Sequence, residues 1–215
     1  MGSQTILDLI ASTMVFSSLL LMGLRLNASV MSHLNAYKGD LVVQQNLVEL
    51  VKLLEYDFRK IGYCKDPSKI PDPTMAIRYA DSIRIKFYTD LATTANPYGD
   101  GNLDSLDYYV GSWATGTPNP LDRYMFRVEN NATPVGVDLG VTTFNLQYYD
   151  ANKNLMTYPI TNYGAIATMQ ITVQCQNLSA VGVSQFAGHF DSLSLGYQSA
   201  YWRQVRLVAR NLRNR

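Results

Sequence analysis

The beginning of the chain has the pattern of a continuous apolar helix. Between residues 4 and 24 the only ionisable side chain is Asp8. About 21 residues that rise 1.5 Å each form a helix of roughly 31 Å, the thickness of the hydrocarbon core of a bilayer. A cleaved secretory signal would need a basic n-region and a small-x-small cleavage site, and neither is evident. The pattern therefore predicts a membrane-spanning helix over 4–26.

Helical periodicity continues beyond this segment, but on one face only. The spacing predicts an amphipathic continuation of the same helix over 27–62, and Gly62 suits its C-terminus. Asn35, Gly39 and Asp40 weaken helix propensity between the two halves, so we expect a bend or a melted turn there. The apolar positions of the amphipathic half are Val43, Leu47, Leu50, Leu54, Phe58 and Ile61.

After the prolines at 67, 71 and 73, the period of the apolar residues changes from 3.6 to 2, which is typical of half-buried strands. In one segment the alternation places Tyr124, Phe126 and Val128 on a single face, opposite Met125 and Arg127. The predicted strands lie near 83–88, 106–110, 124–128, 144–149, 155–158, 169–175 and 201–207, with a turn at 150–154 and longer loops near 91–104, 111–121 and 176–199.

Together these patterns predict an α+β fold. A long N-terminal helix, with a transmembrane half and an amphipathic half, packs on an antiparallel β-sheet that forms a β-rich globular domain over 63–215. A chain of 215 residues with 47% apolar side chains can bury such a core. The formal net charge of +1 provides no basic surface for phosphates, so no nucleic-acid partner is expected.

Cys64 and Cys175 are the two cysteines of the chain, and they are too far apart in sequence for a CxxC motif or a zinc ribbon. One disulfide between them would indicate an oxidising compartment. Cysteine is also an ordinary small buried hydrophobe. Both alternatives stay open at the level of sequence.

The sequence motifs give little support for an enzymatic function. His33 and His189 have neither a metal-ligand spacing nor a neighbouring nucleophile motif. Phosphate-binding glycine motifs such as GxGxxG and GxxxxGK[ST] do not occur. The sequence therefore predicts no enzyme and no catalytic residue.

A polar segment at 100–107, DGNLDSLD, resembles the start of a calcium loop. Asp100, Asn102 and Asp104 stand at alternate positions, as in the first half of such a loop. The later glycine and the bidentate glutamate at the twelfth position are missing. A polar turn is the competing interpretation, because Asp and Asn dominate turns through local hydrogen bonds. No cofactor is required, and calcium is the one candidate.

The N-terminal residues resemble those of type IV pilins and of the pseudopilins of type II secretion. In that family a short leader ends in a small residue, the second mature residue is often Thr and the fifth is an acid. Ser3 would end a leader over 1–3, Gln4 would be the first mature residue, Thr5 the second and Asp8 the fifth. The chain departs from the family in having Ser for Gly, Gln for Phe and Asp for Glu.

Three further segments, at 53–63, 141–155 and 202–214, resemble the larger minor pseudopilins. The resemblance implies a structural subunit of a pilus-like filament or pseudopilus that assembles through its hydrophobic helix. It implies copies of itself or other pilin-like subunits as partners, and membrane lipid before assembly. The chain would first be a single-pass protein of the inner membrane and then part of an extracellular or periplasmic filament.

The resemblance also implies a role for Asp8. In the family the acid near the helix start pairs with the N-terminal amine of a neighbouring subunit, which here is the amine of Gln4. A carboxylate in lipid is costly and usually has a partner. Alternatively, Asp8 lies near a helix N-terminus, where the dipole favours an acid and headgroup water is within reach.

A second hypothesis is a single-pass anchored subunit of a larger membrane complex, or a stalked ligand-binding module, that never polymerises. The positive-inside rule favours it, because Arg25 and Lys38 would then be cytoplasmic.

Overall fold

One α-helix, α1, extends without interruption over Gly2–Arg59 in the computed structural model, which describes residues 2–70, 72–117, 119–177 and 200–208. The melted turn predicted at Asn35, Gly39 and Asp40 is therefore wrong, and the alternative of a bend stays a prediction. A glycine costs a helix only about 1 kcal/mol, and helix propagation is cooperative between two long flanking segments. The chain nevertheless divides into two compact units at this point, Met1–Gly39 and Asp40–Arg215.

The first unit is helix only. Its large apolar side chains are exposed, and the helix is long and apolar enough to cross a membrane by length and composition. Its hydroxyl groups bond within the helix: those of Ser12, Thr13 and Ser18 donate to the carbonyl three residues back, and that of Ser17 donates to Thr13 O. An apolar exterior with internally bonded hydroxyls is compatible with lipid.

The second unit contains the rest of α1 and one seven-stranded antiparallel sheet whose strands follow one another in chain order. Short 3₁₀ turns at Pro67–Lys69, Pro73–Met75 and Tyr163–Ala165 lie between elements. The strands are β1 (Ile77–Ala80), β2 (Arg84–Thr89), β3 (Asp104–Trp113), β4 (Arg123–Glu129), β5 (Gly136–Tyr149), β6 (Thr168–Gln176) and β7 (Ala200–Leu207).

The core lies between the apolar face of α1 and one face of the sheet. All six apolar positions predicted for the amphipathic half are buried. Phe58 is fully buried and makes edge-on contacts with Phe87 and Tyr108, both at 5.5 Å between ring centroids. The alternate residues of β6, from Met169 to Cys175, are buried as predicted.

A polar network crosses the same interface. The Asp57 carboxylate is 1% exposed and accepts hydrogen bonds from the Tyr108 hydroxyl at 2.5 Å and from Arg127 Nε at 2.8 Å. Arg127 also pairs with Glu129. Burial, followed by the charge of Asp57, raises the pKa of Tyr108 above its usual range. The Tyr108 hydroxyl thus stays protonated and donates to Asp57.

The alternation predicted for β4 is confirmed, but the face that meets α1 is the one with Met125 and Arg127. Met125 is buried and Arg127 reaches Asp57, so these residues face α1, while Tyr124 and Phe126 are half-buried on the opposite face. There Phe126 stacks on Tyr109 at 4.7 Å between centroids. The outer face is therefore aromatic, and apolar character alone does not indicate which face of β4 meets α1.

Other strand predictions need smaller corrections. The strand predicted at 155–158 is reduced to one bridge between Tyr149 and Leu155. Strand β1 was not predicted, and β3 continues to Trp113, three residues into the predicted loop at 111–121. The predicted loop near 176–199 lies, from residue 178 on, outside the described residues.

Candidate functional site

The residues predicted to govern assembly lie along the first turns of α1. Gln4, Thr5 and Asp8 are exposed, and Ser3 is helical, although its side chain lies outside the described residues. The first turn of the helix contains no acidic residue. Asp8 therefore lies in the second turn, whereas the field of a helix N-terminus falls off within the first.

Asp8 belongs to a small polar group on an apolar helix. Thr5 and Ser12 lie three and four residues away and share its face of the helix. The Ser12 hydroxyl is directed to Leu9 O at 2.9 Å. None of the ion pairs formed by the described residues includes Asp8. A cation that pairs with the Asp8 carboxylate inside lipid would therefore have to come from a group outside the described residues.

After α1, the structure brings three carboxylates together at the loop over 91–103. Oxygen atoms of Asp90, Asp100 and Asp104 all lie within 4.8 Å of one another. Asp100 and Asp104 belong to the predicted calcium set, and Asp90 is an acid that the sequence did not place with them. Local spacing does not reveal Asp90, because it follows the last residue of β2, ten residues before Asp100, and only the fold brings it near.

Local hydrogen bonds already engage each member of this cluster. Asp90 accepts from the backbone N–H groups of Lys65, Asp100 and Gly101 at 2.9–3.0 Å. Asn102 donates to Asp100 through its backbone and its side chain, which lowers the Asp100 pKa. Asp104 accepts from Leu91 N and from Asn130 Nδ2. Hard oxygen ligands of this kind suit Ca²⁺, and calcium stays a prediction.

The two cysteines are free, buried thiols, so the disulfide alternative is wrong for the described structure. Cys64 contacts Asp90 and Gly101 O after the end of α1, whereas Cys175 lies in β6 between β5 and β7. Each thiol thus has a separate packing environment. Burial raises the pKa of both, that of Cys175 to about 12, and both thiols stay protonated at neutral pH.

The histidines form no recognisable catalytic arrangement in the part of the chain that is described. His33 lies exposed on α1, and His189 lies outside that part.

No protein-family model and no curated protein matches the sequence. Among solved structures, the chain is similar to a type IV-like pilin from Thermus thermophilus. The two are 9% identical, the alignment covers 79% of this chain and 97% of that chain, and the TM-score is 0.42. Similarity at this level carries no functional conclusion, so the function must rest on the residues of this chain.

Proposed function

We propose that this protein is a structural subunit of a pilus-like filament or pseudopilus, assembled through the first half of α1. The observation that carries the proposal is an uninterrupted helix whose residues 4–24 are apolar, exposed on all sides and contain one ionisable side chain, Asp8. Exposed apolar surface of this extent needs a cover of lipid or of protein. Subunits that leave the bilayer would exchange lipid contacts for contacts between helices.

In this proposal Asp8 sets the register of the helices. After removal of residues 1–3, the amine of Gln4 would carry the positive charge that pairs with Asp8 of the neighbouring subunit. Such a pair in a low-dielectric surrounding is strong, and an unpaired carboxylate there is costly. Helices that align the two charges are therefore favoured over other registers. Thr5 and Ser12 would lie beside this contact.

The proposed location follows from the same helix. The chain would be held in the inner membrane by residues 4–26, with the sheet unit outside, and would then enter a periplasmic or extracellular filament. Its partners would be copies of itself or other pilin-like subunits. A single-copy anchored subunit of a larger membrane complex, or a stalked ligand-binding module, is the second candidate, favoured by Arg25 and Lys38 near the end of the span.

Two measurements on native protein separate these candidates. N-terminal mass spectrometry should find a chain that begins at methylated Gln4, and material sheared from the cell surface should contain filaments with this subunit. An intact Met1, with one copy of the chain in each isolated membrane complex and no sheared polymer, would instead establish the anchored subunit.

A further inference from the structure

Asp100 and Gly101 form the one Asp–Gly pair of the sequence, which contains no Asn–Gly pair. An Asp–Gly pair is prone to isomerisation, because glycine has no side chain that keeps its backbone nitrogen away from the aspartate carboxyl group. Asp100 is exposed in the loop over 91–103, and Gly101 is half-buried. The pair therefore lies where water reaches the carboxyl group.

The local backbone accounts for both residues of the pair. Gly101 has a φ of 85°, a region that is costly for residues with a side chain. Asp100 Oδ1 accepts a hydrogen bond from Asn102 N at 2.8 Å, which is the contact of an Asx turn. The turn thus favours an aspartate directly before a glycine, and the same two residues make the linkage chemically labile.

The nitrogen that would react is held by a buried carboxylate. Gly101 N donates to Asp90 Oδ2 at 2.9 Å, and Asp100 N donates to Asp90 Oδ1 at 3.0 Å. Asp90 is 0% exposed, and the absence of a Cβ at Gly99 permits its close approach. The Cys64 thiol lies 3.6 Å from Gly101 O. Gly101 is therefore held at its N–H and at its carbonyl.

The carboxyl group that would be attacked is held separately. Asn102 donates to both oxygens of Asp100, from its backbone at 2.8 Å and from Nδ2 at 3.1 Å. These hydrogen bonds lower the pKa of Asp100, so the group stays ionised at neutral pH. An ionised carboxylate is a poor electrophile, because ring closure needs the protonated acid, from which water can leave.

We propose that Asp90 and Asn102 form a clamp that protects the Asp100–Gly101 linkage from isomerisation to isoaspartate. In the reaction that the clamp opposes, Gly101 N forms a bond to Asp100 Cγ and loses its proton, and one water leaves as a cyclic imide forms. One water then adds to the main-chain carbonyl carbon of Asp100, and the original C–N bond breaks. The chain would then continue through the Asp100 side chain, with one more carbon in its backbone.

The clamp opposes ring closure at both reacting groups. Gly101 N must leave Asp90 before it can approach Cγ, and the Asp100 carboxylate must leave Asn102 before it can turn back toward Gly101. The extra backbone carbon of the product would also separate the N–H groups of Asp100 and Gly101 from Asp90. The proposal is independent of filament assembly.

The rate of isomerisation is measurable on the full chain in detergent at neutral pH. Trypsin releases residues 87–123 as one peptide, and electron-transfer fragmentation distinguishes aspartate from isoaspartate at residue 100. The folded wild type should isomerise about 10- to 100-fold more slowly than the same chain unfolded in guanidinium chloride, the range expected where a hydrogen bond to a charged group must first break.

Asp90→Asn should raise the rate of the folded chain about tenfold, because a neutral amide holds Gly101 N more weakly. Asp104→Asn is the matched control. It makes the same change in a neighbouring acid, but Asp104 accepts from Leu91 N and Asn130 Nδ2 and not from residues 100–102. Its rate should equal that of the wild type. Equal increases in both variants would indicate general loosening of the loop and would overturn the clamp.

Asn102→Ala frees the Asp100 carboxylate and should raise the rate several-fold. Asn154→Ala removes the same two kinds of hydrogen bond from Asp150 and should leave the rate at residue 100 unchanged. Asn102 is exposed, so this variant tests the clamp even where Asp90→Asn does not fold. A wild type that isomerises as fast folded as unfolded, or a wild-type rate in Asn102→Ala or in folded Asp90→Asn, would overturn the proposal.

Discussion

The Tyr108 hydroxyl lies 2.5 Å from the Asp57 carboxylate and donates a hydrogen bond that joins the centre of the sheet to α1. Arg127 completes the contact from the neighbouring strand, so one buried acid on the helix meets two donors from the sheet. Apolar packing between a helix and a sheet tolerates sliding, whereas this triad is satisfied in one register only. The network therefore specifies where the helix sits on the sheet.

We expect Asp57→Ala to destabilise the sheet unit by about 3–5 kcal/mol, because it leaves the Arg127 charge half-buried without its acid. The matched control is Glu55→Ala, two residues away on the same helix, which removes a pair of 3.7 Å with the exposed Arg59. That change should cost about 0–1 kcal/mol. Thermal or urea unfolding measures both, and equal losses would refute a special role for Asp57.

Gly99 has a φ of 98°, and a Cβ at this position would lie 2.1 Å from Asp90 Oδ1. We expect Gly99→Ala to lose about 1–2 kcal/mol through the backbone and about 1.5–3 kcal/mol through displacement of Asp90 from its N–H donors. Gly116, with a φ of 93° and no atom within 4 Å of its Cβ, is the control for the backbone contribution. Gly99→Ala should lower the free energy of unfolding more than the alanine variant of Gly116 does. Equal losses would show that the Asp90 side chain moves aside without a cost in stability.

Calcium titration tests the two interpretations of the cluster formed by Asp90, Asp100 and Asp104. Because each carboxylate already accepts local hydrogen bonds, we expect millimolar Ca²⁺ to leave the thermal midpoint of the chain unchanged. A rise in the midpoint that Asp104→Asn removes, with EDTA as the reference state, would establish a calcium site instead. Asp122→Asn serves as the control, since it changes an acid outside the cluster.

Asp8 provides the test of assembly. Asp8→Ala should insert into the membrane as the wild type does, since it makes the span more apolar, but should abolish filaments. Asp8→Glu keeps the charge and should retain assembly, whereas Asp8→Asn should behave as the alanine variant does. Membrane fractions and sheared surface material, both probed for the subunit, provide the measurement. Filaments of normal abundance from Asp8→Ala would disprove the register role.

Local patterns predicted α1 and six of the seven strands of this fold, all but β1. The apolar run and the amphipathic positions from Val43 to Ile61 predicted α1 and its buried face, and the alternation from Met169 to Cys175 predicted β6. Gly62, with a φ of 71°, lies just beyond the helix as predicted. Periodicity succeeds here because a helix or a strand with one buried face repeats its burial along the sequence.

Where contacts join distant segments, sequence was insufficient. The face of β4 that carries Tyr124 and Phe126 is the more apolar one, yet the face with Met125 and Arg127 meets α1, so the alternation could not indicate which face is inside. A melted turn at Gly39 seemed favourable locally, yet the cooperativity of a long helix outweighs it.

By itself the sequence determined the α+β class, the membrane-compatible helix and the position of Asp8 within it, because each depends on neighbours within a few residues. Only the tertiary structure decided that Asp90 joins Asp100 and Asp104, and that Asp57 meets Tyr108 and Arg127. These groups come from different elements, and their proximity depends on strand register and on how the helix packs on the sheet, which the linear spacing of residues does not encode.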